Sequence, residues 1–200
     1  MKIVIYLQKI GNIDKIIVKR LQKNLKKNLK DYIDSVEVLP NNLNLRESDY
    51  VISERQYNGS KLLKHLKKNA IKNKFSSTLG IADVDVFRAN FDFVFGIAVI
   101  PKSPFKDKPG SALISVTRLR EGFYGKPEKK EKKTNKILFE ERVLKEALHE
   151  LGHTFGIEHC DANCVMQFSE TRLYVDKKPT KFCKTCQEKL NKLFNLTITS

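Results

Sequence analysis

The sequence predicts a mixed α/β fold: a sheet of about five strands with helices packed on it, followed by a small cysteine-rich lobe. Three observations carry this reading. An apolar run at the N-terminus leads into an apolar pattern at helical spacing, β-rich runs recur in the middle of the chain, and all four cysteines fall in one short C-terminal stretch. The chain has 200 residues, 40% of them apolar, which suits one domain with a single buried core. Within it the reading separates an upper part, residues 1–156, from a small C-terminal subdomain, residues 157–200.

Taken in order, KIVIYL reads as a buried strand, and Ile13, Ile16, Ile17, Leu21, Leu25 and Leu29 then mark one face of a basic helix. A short strand follows around Ser35 to Leu39. Leu62, Leu63 and Leu66 indicate a second helix, with His65 expected on its solvent side as an ordinary surface residue. Between Thr78 and Ile100, TLGIADVDVF and FDFVFGIAVI are separated by the polar turn Arg88 to Asn90, which suits a hairpin or neighbouring strands. PKSPFKDKPG is an exposed connection, and SALISVTRL returns to strand character.

Residues 121–136, EGFYGKPEKKEKKTNK, are nearly all charged after two glycines and are expected to form a solvated loop, a candidate cover for a cleft, whose lysine-rich part is 126–136. From about Ile137 a helix is expected, with Leu144, Ala147, Leu148, Leu151 and Phe155 as its apolar stripe and Gly156 at its end.

The formal charge of +15 admits a nucleic-acid partner, but the lysines are spread along the chain without the interleaved aromatics of a stacking platform, so specific nucleic-acid binding is not expected. The first residues carry only a short apolar run, and no stretch reaches the length that crosses a bilayer. An intracellular, cytoplasmic monomer is the expectation.

His149 and His153 lie four apart on the expected helix, which puts both imidazoles on one face, with Glu150 between them. Two imidazoles grip one ion, and the carboxylate can reach water at that ion. Gly156 lets the chain turn so that His159 returns to the same ion, completing HExxHxxGxxH and leaving one position open. Cys160 and Cys164, with the Cys183/Cys186 CxxC, have the spacing of a closed four-thiolate zinc site. Disulfides or free thiols are the alternative for these cysteines, and surface histidines are the alternative for the first site.

HELGHTFGIEHC, followed by CVM and then CKTC, closely resembles the archaemetzincin family of metalloproteases. The close match spans about residues 137–186, while TLGIADVDVF, FVFGIAV and SVTRL are similar to the family's upstream sheet segments. The resemblance implies two zinc ions per chain: a catalytic one on His149, His153 and His159 with Glu150 as general base, and a structural one on Cys160, Cys164, Cys183 and Cys186. It makes Met166 the Met-turn residue, although a methionine is more commonly an adaptable core residue. This chain departs from the family pattern by having three residues between Cys160 and Cys164, where the family has four.

The resemblance also implies a metzincin-like fold: a twisted, mostly parallel five-stranded sheet with an antiparallel edge strand, two large helices beneath it, and a zinc-stapled lobe. FDFVFGIAV is the candidate edge strand, with ordinary sheet core as its other reading. Tyr174 lies where some metzincins place an assisting tyrosine, and core packing is its alternative. The implied activity is hydrolysis of peptides or proteins. The competing class is a non-catalytic module in which both zincs are structural and the basic surface binds nucleic acid or an acidic partner.

Overall fold

The computed structural model describes residues 3–101, 104, 109–125 and 133–195. Strand β1 (Ile3–Ile10) leads into helix α1 (Lys15–Asn28), where the Asp14 carboxylate caps the first turn by accepting the Ile16 N–H at 2.8 Å. Val18, Leu21 and Leu25 are the buried stripe of α1, whereas Ile16, which the sequence pattern placed on that stripe, is 55% exposed. Then come β2 (Ile33–Val38), β3 (Tyr50–Val51), β4 (Gln56–Asn58), α2 (Gly59–Lys72), β5 (Ser77–Ala82), β6 (Val86–Phe87), β7 (Gly96–Ala98) and β8 (Gly110–Ser115). Helices α3 (Lys133–Thr154), α4 (Arg172–Lys177) and α5 (Lys184–Phe194) follow.

Five strands form the main sheet in the order β2-β1-β5-β8-β7; all neighbours are parallel except β7, which runs antiparallel to β8 at the edge. Every residue of β5 and β8 is buried, as expected of central parallel strands covered on both faces. Helices α1 and α3 cover one face. The other face packs Leu62, Leu63 and Leu66 of α2 against Ile10, Ala82, Ile97 and Leu113.

The FDFVFGIAV run therefore supplies the antiparallel edge strand, but it does not pair with TLGIADVDVF: β8 lies between β5 and β7. The reason is that β5 pairs in parallel on both sides, and parallel neighbours need a crossover instead of a tight turn. The turn at Arg88 to Asn90 closes only a single antiparallel bridge, Arg88 to Phe91, and β6 joins β4 in a separate small sheet with β3.

Two further expectations are corrected. Helix α3 begins at Lys133, so 133–136 are helical where a loop was expected: lysine is a good helix former, and the first turns extend an already anchored helix into solvent. Residues 126–132 of that segment lie outside the described residues. His65 is not an ordinary surface residue. Its Nε2 lies 3.0 Å from Oδ2 of Asp49, a carboxylate only 2% exposed that requires a partner when taken out of water.

Past α3, the chain packs back onto the layer that α3 shares with the sheet. Val165, Met166, Phe182, Leu190 and Phe194 belong to the same apolar cluster as Ile5, Leu79, Ala147 and Leu151. A buried polar connection fixes this contact. Arg142 of α3, 1% exposed, donates to both carboxylate oxygens of Asp176 in α4 at 2.6 and 2.8 Å, to Glu121 at 2.8 Å and to the Leu119 carbonyl at 3.0 Å. Removing the guanidinium strands the Asp176 carboxylate and leaves Glu121 with Arg172 alone, so Arg142→Ala is expected to destabilise the fold by about 3 kcal/mol, measured by urea denaturation; a loss below about 1 kcal/mol would mean that Asp176 finds water instead.

Candidate metal centres and active-site cleft

Helix α3 is apolar on one side, and on the other it carries Glu146, His149, Glu150 and His153 beneath the edge strand β7. It ends in a Schellman motif: the Gly156 N–H donates to the His153 carbonyl at 3.0 Å and the Ile157 N–H to the Gly152 carbonyl at 3.0 Å. This reversal needs a left-handed residue, and Gly156 has φ of 81°. The chain then returns towards the helix and brings His159 to His149 and His153, with ring centroids 5.2 and 4.9 Å away. One ligand nitrogen from each of the three lies within 4.8 Å of the others.

Backbone carbonyls fix the two helical imidazoles. His149 Nδ1 donates to the Val165 carbonyl at 3.0 Å and His153 Nδ1 to the Ile157 carbonyl at 2.7 Å. A carbonyl only accepts, so each ring carries its proton on Nδ1 and turns an Nε2 lone pair inward. The two Nε2 atoms face each other at 3.1 Å. Two lone pairs at that distance repel unless a cation lies between them, and tetrahedral zinc would hold its nitrogens about 3.3 Å apart. Burial, the largest cause, holds His149 down to about 2 and His153 down to about 4, and nearby Lys178 pushes both the same way, so both rings are neutral ligands. The donor set fits zinc.

Glu150 is buried, and its Oε2 has no hydrogen-bond partner among the described residues. Burial first and Glu146 second push its carboxyl well above the ordinary carboxylate range, while Lys178 and Arg88 oppose them. A Cβ at Gly96 would run into the Glu150 side chain, so this glycine is what lets β7 cross directly over the carboxylate. The cleft between β7 and α3 encloses about 440 Å³, and its walls include Arg88, Phe91, Glu146, Phe168 and Glu170. Among the residues lining it Tyr174 does not appear; it stands 51% exposed on α4. Met166 is fully buried and packs against Gly152 beneath the histidines.

The four cysteines also converge, with sulfurs within 4.8 Å of one another and no disulfide among them. Cys160 and Cys183 Sγ are 3.7 Å apart, close to the separation of about 3.8 Å set by thiolates on tetrahedral zinc. The Cys183 N–H donates to Cys164 Sγ at 3.2 Å, and the Cys186 backbone N–H draws the Cys183 thiol down to about 7. Burial pushes Cys164 and Cys186 up, a cost that a bound dication reverses.

The seven metal ligands expected from the sequence thus fall into two clusters, and Glu150 lines the same cleft as the three histidines. Three positions that shape the surroundings of Glu150 were not singled out. Gly96 was visible only as a glycine inside a β-rich run, and Glu146 as a carboxylate one turn before Glu150 on the same helix face. Lys178, 1% exposed with Nζ 2.8 Å from Glu146 Oε1, carried no sequence signal.

A mixed sheet whose antiparallel edge lies over a helix bearing two histidines and a buried carboxyl, with a third histidine brought to them by the turn after the helix, is the arrangement of a metallopeptidase. The comparisons bear this out and narrow it. Residues 1–192 match the model of peptidase family M54. The archaemetzincin of Methanocaldococcus jannaschii is 36% identical over 187 residues, 93% of this chain and 92% of that protein. That of Sulfolobus acidocaldarius is 35% identical over 94% of this chain and 96% of that protein. The crystal structure of Archaeoglobus fulgidus archaemetzincin complexed with malonate superposes with a TM-score of 0.73 at 33% identity, covering 93% of this chain and 99% of that one. A zinc-dependent peptidase from Methanocorpusculum labreanum gives 0.75 at 25% identity, covering 94% and 100%. The chain belongs to peptidase family M54, together with the archaemetzincins.

The depressed histidines set a pH dependence. A folded value below the free value of 6.5 means that the unfolded chain binds more protons, so stability is complete above 6.5 and is lost as pH falls. The metal-stripped protein is expected to lose stability between pH 6.5 and about 4 as His153 titrates, and further towards 2 with His149. Thermal melts across that range, compared with the His149→Asn/His153→Asn double variant, measure the contribution, which the double variant should lack.

Proposed function

We propose that this protein is a zinc-dependent peptidase whose zinc is held by His149, His153 and His159, with Glu150 as the general base. The observation that carries the reading is the pair of Nε2 lone pairs 3.1 Å apart beside the unpartnered Oε2 of Glu150. Zinc bound there supplies Lewis acidity, polarising a peptide carbonyl and acidifying water. Glu150 accepts a proton from the attacking water and returns it to the leaving amine nitrogen. Among the described residues no strand pairs with the outer edge of β7, and an extended peptide can add to it through backbone hydrogen bonds directly over Glu150.

The second zinc in this reading is structural. Cys160, Cys164, Cys183 and Cys186 leave no open position on it, and it fastens a C-terminal subdomain, 157–200, to the end of the metal-binding helix. No helix among the described residues is long and apolar enough to cross a membrane. A reducing compartment such as the cytoplasm suits the four thiolates, and a cleft complete within one chain suits a monomer.

Glu150→Gln is expected to keep both zincs while lowering kcat on a peptide pool by at least about a thousandfold, because the amide cannot accept the proton. Turnover equal to the parent enzyme would remove Glu150 from the mechanism. Elemental analysis during mild chelation is expected to show two zincs per chain, one leaving first together with activity and one retained. A single zinc after resupply would leave only the cysteine site and refute the catalytic one.

A further inference from the structure

We infer that Lys178 is a positioning residue of the active site: its buried ammonium holds the Glu146 carboxylate, which leaves Glu150 as the free carboxyl on that helix face. The inference rests on the peptidase reading above and concerns which of two carboxyls serves it. Glu146, His149, Glu150 and His153 recur on one face of α3, and all four line the cleft. Glu146 stands three residues before His149 just as Glu150 stands three before His153, and both carboxyls are buried. The helix alone therefore supplies two similarly placed carboxyls. Their surroundings separate them: Glu146 Oε1 carries an ion pair, 2.8 Å from Lys178 Nζ, whereas Glu150 Oε2 has no partner among the described residues.

The main chain fixes Lys178. Helix α4 stops just before it, with the Lys178 N–H on the Tyr174 carbonyl at 3.2 Å. Asp176, two residues earlier, is tied to α3 by Arg142 and by Lys145, whose Nζ donates to the Asp176 carbonyl at 3.0 Å. Lys178 Nζ also lies 3.5 Å from the Gln167 carbonyl, at the start of the segment that carries Phe168, Ser169 and Glu170 along the cleft. An ammonium so fully buried needs a counter-charge, and among the described residues Glu146 is its only ion-pair partner. Buried pairs of this kind are weak sources of stability, since apolar side chains of similar volume commonly do as well. What this pair governs is charge beside the metal ligands: the Lys178 charge is felt at all three histidines, and that of Glu146 at Glu150. With both present the two charges cancel. Without Lys178, a dry carboxylate one turn from His149 has a dication at the imidazoles as its strongest attraction; without Glu146, the ammonium opposes that dication.

The test compares zinc-loaded variants by release of the labile zinc to a chelator and by kcat and KM on one peptide that the parent cleaves. Lys178→Met leaves Glu146 unpaired and is expected to slow zinc release about tenfold and lower kcat about tenfold, with KM within about threefold of the parent. Glu146→Gln leaves the ammonium unpaired and is expected to speed release about tenfold. The double variant Lys178→Met/Glu146→Gln is expected to bring release and kcat back to within about threefold of the parent, and Lys178→Arg to stay there. A lysine that only packs gives no such cancellation. Single variants that shift release in the same direction, or defects that the double variant leaves unrepaired, overturn the inference. Where Lys178→Met does not fold, unchanged zinc release in Glu146→Gln overturns it. No cleavage of any peptide by the two-zinc parent overturns the peptidase reading, and zinc release in the variants still decides the role of the pair.

Discussion

A helix can end inside a protein only if its last carbonyls find partners, and at the end of α3 meeting that demand also builds the histidine cluster. The reversal at Gly156 satisfies the Gly152 and His153 carbonyls with the N–H groups of Ile157 and Gly156. The same reversal points the Ile157 carbonyl at His153 Nδ1 and sends the chain on to His159. One turn later in space, the Val165 carbonyl takes the Nδ1 proton of His149. Tautomer, ring orientation and convergence of the lone pairs all follow from where these two carbonyls sit.

That dependence runs on into the cysteine cluster. Cys160 follows His159 directly, and its N–H donates to the Met166 carbonyl at 3.1 Å; the Val165 N–H donates to the Lys181 carbonyl at 2.9 Å. The segment between Cys160 and Met166 is thus held at both ends by groups next to the thiols, and it carries the carbonyl that orients His149. Cys164, Val165 and Met166 anchor this segment in the core, and four thiolates on one dication would add a further constraint. A metal bound at the cysteines would therefore contribute to the histidine cluster through backbone position.

How much of this could be read in the sequence follows from how far each interaction reaches along the chain. His149, Glu150, His153, Gly156 and His159 were legible because helical period and a glycine stop are local signals, and the cysteines because their spacing is compact. The edge strand was legible as a β-rich run, but its neighbour was not: the choice of β8 over β5 is made by a crossover that no local pattern encodes. For the same reason Asp49 with His65, Glu146 with Lys178, and Arg142 with Asp176 went unseen. Each joins residues 16 to 34 positions apart whose neighbours in sequence give no hint that they are buried.

Buried ions around the cleft have a physical rationale. Arg142, Lys178, Glu146 and Glu150 are all close to fully buried within a layer whose packing is otherwise apolar, and replacing such ions by hydrophobes commonly stabilises a fold. Lys178 neutralises Glu146 at 2.8 Å, so the pair adds little net charge beneath the histidines. The histidines are neutral, which leaves Glu150 as the uncompensated group, crowded by Glu146 and overlaid by β7 at Gly96. In that setting burial favours the protonated carboxyl over the carboxylate. A dication at three neutral imidazoles is the charge that would favour the carboxylate form. The desolvation cost of these ions thus surrounds a buried carboxyl whose ionised form a dication at the histidines would favour.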